Sequence, residues 1–173
     1  MNAQSPSIRL FIMDVDGTLT DGTITYTADG VELKSFHARD GAGIKLLPPL
    51  GITPAIVSGR SSAATQRRAG ELGIEIVVEG VSDKLPVVDE IRNKLGLEWA
   101  EVAFIGDDLT DIPPMRSAGF SAAPADAAPE VRRIATFVCT TVGGRGAVRE
   151  AIENLLRAQG SWEDVLDGLG AGA

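Results

Sequence analysis

Cysteine is nearly missing from this chain: Cys139 stands alone among 173 residues. A lone thiol excludes an intrachain disulfide, and a reducing, cytoplasmic location is the expectation. Positive charge is short as well. The 16 Lys and Arg face 24 Asp and Glu, a net charge of -8, which speaks against nucleic acid or an anionic membrane as partner. No run comes near the roughly 20 apolar residues of a membrane span. The opening MNAQSPSIRLFIM has no cationic start followed by a long apolar core, so no signal peptide is expected. What remains is ordinary for a soluble globular protein, with 44% hydrophobic and 23% charged residues. The length suits one domain, with a core over about residues 8–158. An acidic protein of this kind needs a local cationic cluster or a metal ion if its ligand is an anion.

Strand and helix signals alternate along the chain. Ile8–Met13, Ile52–Val57, Ile74–Val78 and Val102–Ile105 read as short buried strands, followed by weaker ones at Phe120–Ala122 and Thr136–Cys139. Helices are expected at Gly41–Leu47, from Ser61 or Ser62 to Leu72, at Asp83–Leu95, around Pro114–Ser117, at Pro129–Ile134 and at Gly146–Ala158. Thr23–Tyr26 and Val31–Phe36, joined through TADG, read as a β-hairpin, a flap over about residues 23–37. The tail over about residues 160–173, which ends in DGLGAGA, is expected to be mobile. Pro54 is an irregularity, because a central strand uses every N–H. The economical architecture is a doubly wound α/β fold, a Rossmann-like parallel sheet covered by helices.

In such sheets ligands bind beyond the carboxyl ends of the strands. The residues that follow the strands here are Asp14-Val15-Asp16-Gly17-Thr18, then Ser58-Gly59-Arg60, then Ser82-Asp83-Lys84, then Gly106-Asp107-Asp108 with Asp111 a turn later. Acids, a hydroxyl and a lysine gather on one edge, and the sheet needs none of them for stability. Two carboxylates two residues apart repel each other and resist burial. A divalent cation bridging Asp14 and Asp107 would offset that repulsion, and Mg²⁺ suits a few carboxylates together with phosphate oxygens. With Lys84 and Ser58 beside the metal, the edge reads as a phosphoryl site. One carboxylate attacks phosphorus while its neighbour moves protons.

The order D-x-D-G-T-L-T, S-G-R, a lone Lys and G-D-D-x-x-D resembles the haloacid dehalogenase (HAD) superfamily of phosphatases, from Ile8 to about Leu156. The resemblance implies an HAD-like fold with Asp14 as nucleophile and Asp16 as acid and base. It also implies that Ser58 and Lys84 hold the phosphoryl group. Mg²⁺ would lie on Asp14, Asp107 and the carbonyl of Asp16, with Asp108 and Asp111 supporting that shell. About 40 residues separate Asp14 from Ser58 and about 20 separate Lys84 from Asp107, too few for a large cap domain. FHARDGAGIKLL, GDDLTDIPPM and GGRGAVREAIENLL resemble the capless branch that hydrolyses 3-deoxy-D-manno-octulosonate 8-phosphate (KDO 8-phosphate), a step toward lipopolysaccharide core sugar. The branch implies a homotetramer whose hairpin and tail help cover a neighbour's site.

The sugar acid carries a carboxylate beside its phosphate. Arg60 is its expected partner, with Arg39 and Arg68 next, and Thr18 and Gly59 belong to the phosphate-facing turns. Arg60 favours the eight-carbon sugar over 2-keto-3-deoxynononate 9-phosphate, where an acid is expected at that position. His37, the only histidine, reads as hairpin packing and Cys139 as a buried strand residue. Gly143-Gly144-Arg145-Gly146 lacks the spacing of a phosphate loop and reads as a tight turn into the last helix. A receiver-like signalling module also has clustered Asp residues, a hydroxyl and a Lys, but its phosphorylated Asp lies on the third strand. A silent scaffold is disfavoured because every catalytic position is filled.

Overall fold

Six short apolar runs align as one parallel sheet because each feeds a helix that returns the chain to the same edge. The computed structural model describes residues 7–171; the first residues, read for a signal peptide, and the last two of the tail lie outside them. The strands are β1 (Leu10–Met13), β4 (Thr53–Val57), β5 (Ile76–Val78), β6 (Val102–Ile105), β7 (Phe120–Ala123) and β8 (Phe137–Val138). Their order in space is β5-β4-β1-β6-β7-β8, every pairing parallel. Strand succession runs one way from β1 through β4 to β5 and the other way from β6 to β8. The reversal at β1 and β6 opens a crevice beyond their carboxyl ends.

The central strands are buried on both faces, and alternation divides their side chains between two cores. Phe11, Met13, Ile56 and Ile105 face α1 (Ala38–Ile44), α2 (Ala63–Leu72) and α6 (Ala147–Ala158). Leu10, Ile12, Val57 and Phe104 face α3 (Lys84–Lys94), α4 (Ile112–Ser117) and α5 (Pro129–Ile134). Three layers result, with no inserted cap domain among the described residues. The hairpin is the one element outside them: β2 (Thr25–Tyr26) and β3 (Glu32–Leu33) pair antiparallel as a separate ribbon.

Pro54 fits after all. The Thr53 N–H donates to the carbonyl of Arg9, so the next nitrogen faces β5, whose ladder begins only at Ala55. Pro54 thus omits a donor where no acceptor waits. Pro113 and Pro114 lie in the first turn of α4, where N–H groups are unbonded in any helix.

The tail, expected to be mobile over about residues 160–173, is helical in part. Within it, Trp162–Gly168 forms a helix, α7. Trp162 and Val165, three apart, are 7% and 8% exposed against the α6 side of the core. Arg157 and Arg149 lie over the Trp162 ring at 4.5 and 5.8 Å. Gln159 accepts from the Ile8 N–H at 3.1 Å and so ties the tail to the start of β1. The glycine-rich end concealed a helical i, i+3 apolar pair, and burial of one indole outweighs the flexibility of its neighbours. Replacement Trp162→Ala is expected to lower the unfolding free energy by about 3 kcal/mol, read as an earlier urea midpoint with little change in slope.

Candidate active site

The crevice between β1 and β6 collects the charged groups. Asp14 follows β1 and extends its ladder, its N–H donating to Ile105 at 3.0 Å. Asp107 follows β6 by two residues, and Asp111 closes the short 3₁₀ turn that comes next. One oxygen from each of Asp14, Asp107 and Asp111 falls within 4.8 Å of the other two. Gly17 permits this approach. Its φ is +91°, and a Cβ there would lie 2.1 Å from Asp107 Oδ2.

Lys84, the first residue of α3, supplies the countercharge. It is 3% exposed, and its Nζ lies 2.7 Å from Asp14 Oδ1 and 2.6 Å from Asp111 Oδ1. Burial works against the ammonium, yet the two carboxylates outweigh it and hold its pKa above the ordinary lysine value. The other Asp111 oxygen accepts the backbone N–H groups of Asp107 and Asp108 at 3.0 and 3.2 Å. Asp111 is therefore a fully engaged anchor, whereas Asp14 and Asp107 keep capacity for a ligand. Both remain under strain from their own charge. Burial, then Asp111, raises Asp14 to about 6; burial, then Asp14 and Asp111, raises Asp107 to about 7. Two free carboxylates that resist ionisation together fit a divalent, oxygen-seeking cation.

The other expected residues divide into those at the crevice and those away from it. Ser58 is buried at the end of β4, its backbone bonded to Val78 and Val81 and its hydroxyl accepting the Arg60 N–H at 3.3 Å. Gly59 is exposed in that turn. Arg60 Nε lies 3.7 Å from Asp16 Oδ2. Thr18 is fully buried and donates its hydroxyl to Asp107 Oδ1 at 3.0 Å, so it steers a carboxylate instead of facing open solvent. Asp108 is exposed and caps the 3₁₀ turn, outside the three-carboxylate cluster, as is the Asp16 side chain. Arg39 lines a cleft of about 470 Å³ with Arg145 and Arg149, against α6. Arg68 packs over Gly41 and pairs with Glu71 at 3.2 Å.

Three hairpin residues at this site escaped the sequence reading. Lys34, its side chain 3% exposed, forms an ion pair with Asp16. Glu32 bonds Arg60 Nη2 at 2.7 Å, and the Tyr26 hydroxyl accepts from the same nitrogen at 3.2 Å. The signal was partly present: Tyr26 is opposite Glu32 in register, so the two share one face, while β3 ends at Leu33, short of the expected Phe36, and Lys34 just follows it. Asp14 and Lys84 thus form one end of the crevice, and Asp16, Lys34 and Arg60 the other.

The raised Asp107 carboxyl gives stability a signed pH dependence. Its folded pKa of about 7 exceeds the unfolded value, so the native state holds the proton more tightly and loses stability as pH climbs from about 4 to about 7. Asp107→Asn removes that loss. In chelator-containing buffer the variant is expected to gain stability over the parent between pH 5 and pH 7.5, by on the order of 3 kcal/mol, measured by thermal unfolding across the series.

Comparison with known proteins agrees with this geometry. A family model described as haloacid dehalogenase-like hydrolase matches residues 38–119. The curated 3-deoxy-D-manno-octulosonate 8-phosphate phosphatase KdsC of Escherichia coli K12 is 43% identical over 162 residues, 94% of this chain and 86% of that protein. KdsC of Haemophilus influenzae is 41% identical over 160 residues, 92% and 89% of the two chains. Among solved structures, the Moraxella catarrhalis phosphatase in complex with magnesium, phosphate and KDO superposes with a TM-score of 0.91 at 42% identity, covering 94% of this chain and 93% of that one. The cobalt-bound Haemophilus influenzae enzyme gives 0.89 at 40% identity, over 95% and 96%. Identity at this level across nearly the whole length, together with the crevice, places the chain in the 3-deoxy-D-manno-octulosonate 8-phosphate phosphatase family of haloacid dehalogenase-like hydrolases.

Proposed function

We propose that this protein is a Mg²⁺-dependent phosphatase that cleaves KDO 8-phosphate to KDO and inorganic phosphate, in the cytoplasm, on the way to lipopolysaccharide core sugar. The observation that carries the reading is the pairing of Asp14 with Lys84 at one end of the crevice and Asp16 with Arg60 at the other. Asp14 and Asp107 would hold the metal, which when bound supplies positive charge against the phosphoryl oxygens and relieves the repulsion between the two acids. Lys84 and the Ser58 hydroxyl bind the same oxygens. A carboxylate oxygen of Asp14 then forms the bond to phosphorus as the bond to the sugar oxygen breaks, and Asp16 gives that leaving oxygen its proton. In the return half, Asp16 takes a proton from water as the water oxygen bonds to phosphorus and Asp14 is released. Persistence of a signalling phosphate does not suit a nucleophile with its proton carrier two residues away.

Arg60 meets the sugar-acid carboxylate. It lies on the Asp16 side, while Arg39 lines the cleft against α6 and Arg68 pairs with Glu71 beside α1. The assembly is a homotetramer built through the hairpin. Ile24, Val31 and Leu33 are 48 to 53% exposed on or beside a ribbon of two-residue strands. So small a ribbon does not stand by itself, and an exposed apolar cluster of this kind seeks a partner surface.

With Mg²⁺, kcat/KM for KDO 8-phosphate is expected to exceed that for hexose phosphates, 2-keto-3-deoxynononate 9-phosphate and p-nitrophenyl phosphate by ~100-fold, about 2.7 kcal/mol. Flat activity across the set would remove the assigned substrate. Arg60→Ala should raise KM for the sugar acid ~10-fold or more and leave p-nitrophenyl phosphate turnover nearly unchanged, since only the former carries a carboxylate. The paired substitution Ile24→Glu and Leu33→Glu should reduce the tetramer to smaller species in light scattering.

A further inference from the structure

Asp40 has no part in the chemistry above, yet it is a carboxylate only 1% exposed. It lies in α1 and reaches across the chain to the start of α6. Its Oδ2 accepts the Gly146 N–H at 3.2 Å and its Oδ1 accepts the Arg149 N–H at 2.8 Å. Those are the N-cap and third positions of α6, the groups a capping side chain ordinarily serves. The local N-cap residue is Gly146, at φ +115°, which has no side chain to do this. Burial holds the Asp40 pKa above its ordinary value even with these two donors.

The loop held by this cap presses on the nucleophile's turn. Gly144 donates to the carbonyl of Thr18 at 3.0 Å. A Cβ on Gly143 would lie 1.9 Å from the carbonyl oxygen of Gly17, and one on Gly144 would lie 2.4 Å from the backbone of Thr20 and Asp21. Backbone thus meets backbone along residues 17–21, the segment that turns the chain after Asp14 and Asp16. Thr18 in turn directs its hydroxyl to Asp107.

We infer that Asp40 is a positioning residue for catalysis: by capping α6 from a distance, it holds the Gly143–Gly146 loop against the turn that aims Asp14, Asp16 and Asp107. The inference rests on Asp14 as nucleophile but not on the identity of the sugar. A carboxylate serves both N–H groups, whereas the asparagine amide offers one oxygen and turns a donor toward the second, which displaces the loop. The displacement moves reacting groups without removing any contact to phosphate, so its effect falls on kcat.

The test uses p-nitrophenyl phosphate with Mg²⁺, well below the Tm of each variant, with Asp14→Asn as control. Asp40→Asn is expected to lower kcat at least ~10-fold with KM within ~2-fold. Gly143→Ala perturbs the same contact from the other side and is expected to do likewise. The double variant should lose little more than the worse single, because both act through one displacement. The inference is overturned if folded Asp40→Asn keeps kcat within ~2-fold, if its loss lies in KM, or if the two losses multiply. Unchanged kcat in Gly143→Ala overturns it whatever the folding of Asp40→Asn. Full activity in Asp14→Asn would instead remove the nucleophile assignment.

Discussion

Crowded negative charge at the ends of β1 and β6 is the constraint on which the rest of the molecule depends. Asp14, Asp107 and Asp111 bring their oxygens within 4.8 Å of one another in a site largely shielded from water. Such an arrangement is unfavourable unless cationic groups share it. Lys84 meets the need at Asp14 and Asp111, the backbone N–H groups of Asp107 and Asp108 add to it at Asp111, and the Thr18 hydroxyl donates to Asp107. Much of the local sequence follows from this. A glycine at 17 lets Asp107 approach, and a helix starting at residue 84 delivers its first side chain inward. Burial and mutual repulsion raise the pKa of both Asp14 and Asp107, and a divalent cation on the two would offset that repulsion.

The opposite end of the crevice is built differently. Lys34, Glu32 and Tyr26 come from a ribbon that the two hydrophobic cores do not need, and they converge with Arg60 around Asp16. The core thus carries the crowded carboxylates and Lys84, while a peripheral element furnishes the groups that surround Asp16. This division suits a family in which one phosphoryl site serves many substrates: the constant chemistry lies at the sheet, and selectivity lies on segments free to vary without loss of fold.

The legible parts of the fold were those governed by local rules. Apolar runs and their helical returns marked the strands within a residue or two, Gly73 ended α2 in the left-handed conformation, and Asp83 capped α3. Pro54 looked wrong only because strand neighbours were unknown; once β5 is seen to pair from Ala55, the missing donor has no consequence. The helix in the tail was hidden for the opposite reason. Its glycines advertised freedom, while the surface that buries Trp162 belongs to α6 and the far side of the sheet. The Thr18 hydroxyl donates to Asp107, a residue 89 positions away, a contact that the D-x-D-G-T spacing does not reveal.

Sequence alone determined the fold class and the identity of the acid-rich edge, because strand periodicity is local and a parallel sheet brings every strand's carboxyl end to one side. It also set which acids are spaced for paired roles, since Asp14 and Asp16 are separated by a single residue. Only the tertiary structure decided how these groups are charged and held. Lys84 between Asp14 and Asp111, Lys34 against Asp16, and Asp40 under the start of α6 join residues separated by 18 to 109 positions. Such contacts depend on the packing of whole layers, and desolvation, which sets the protonation of Asp14 and Asp107, exists only once those layers have closed.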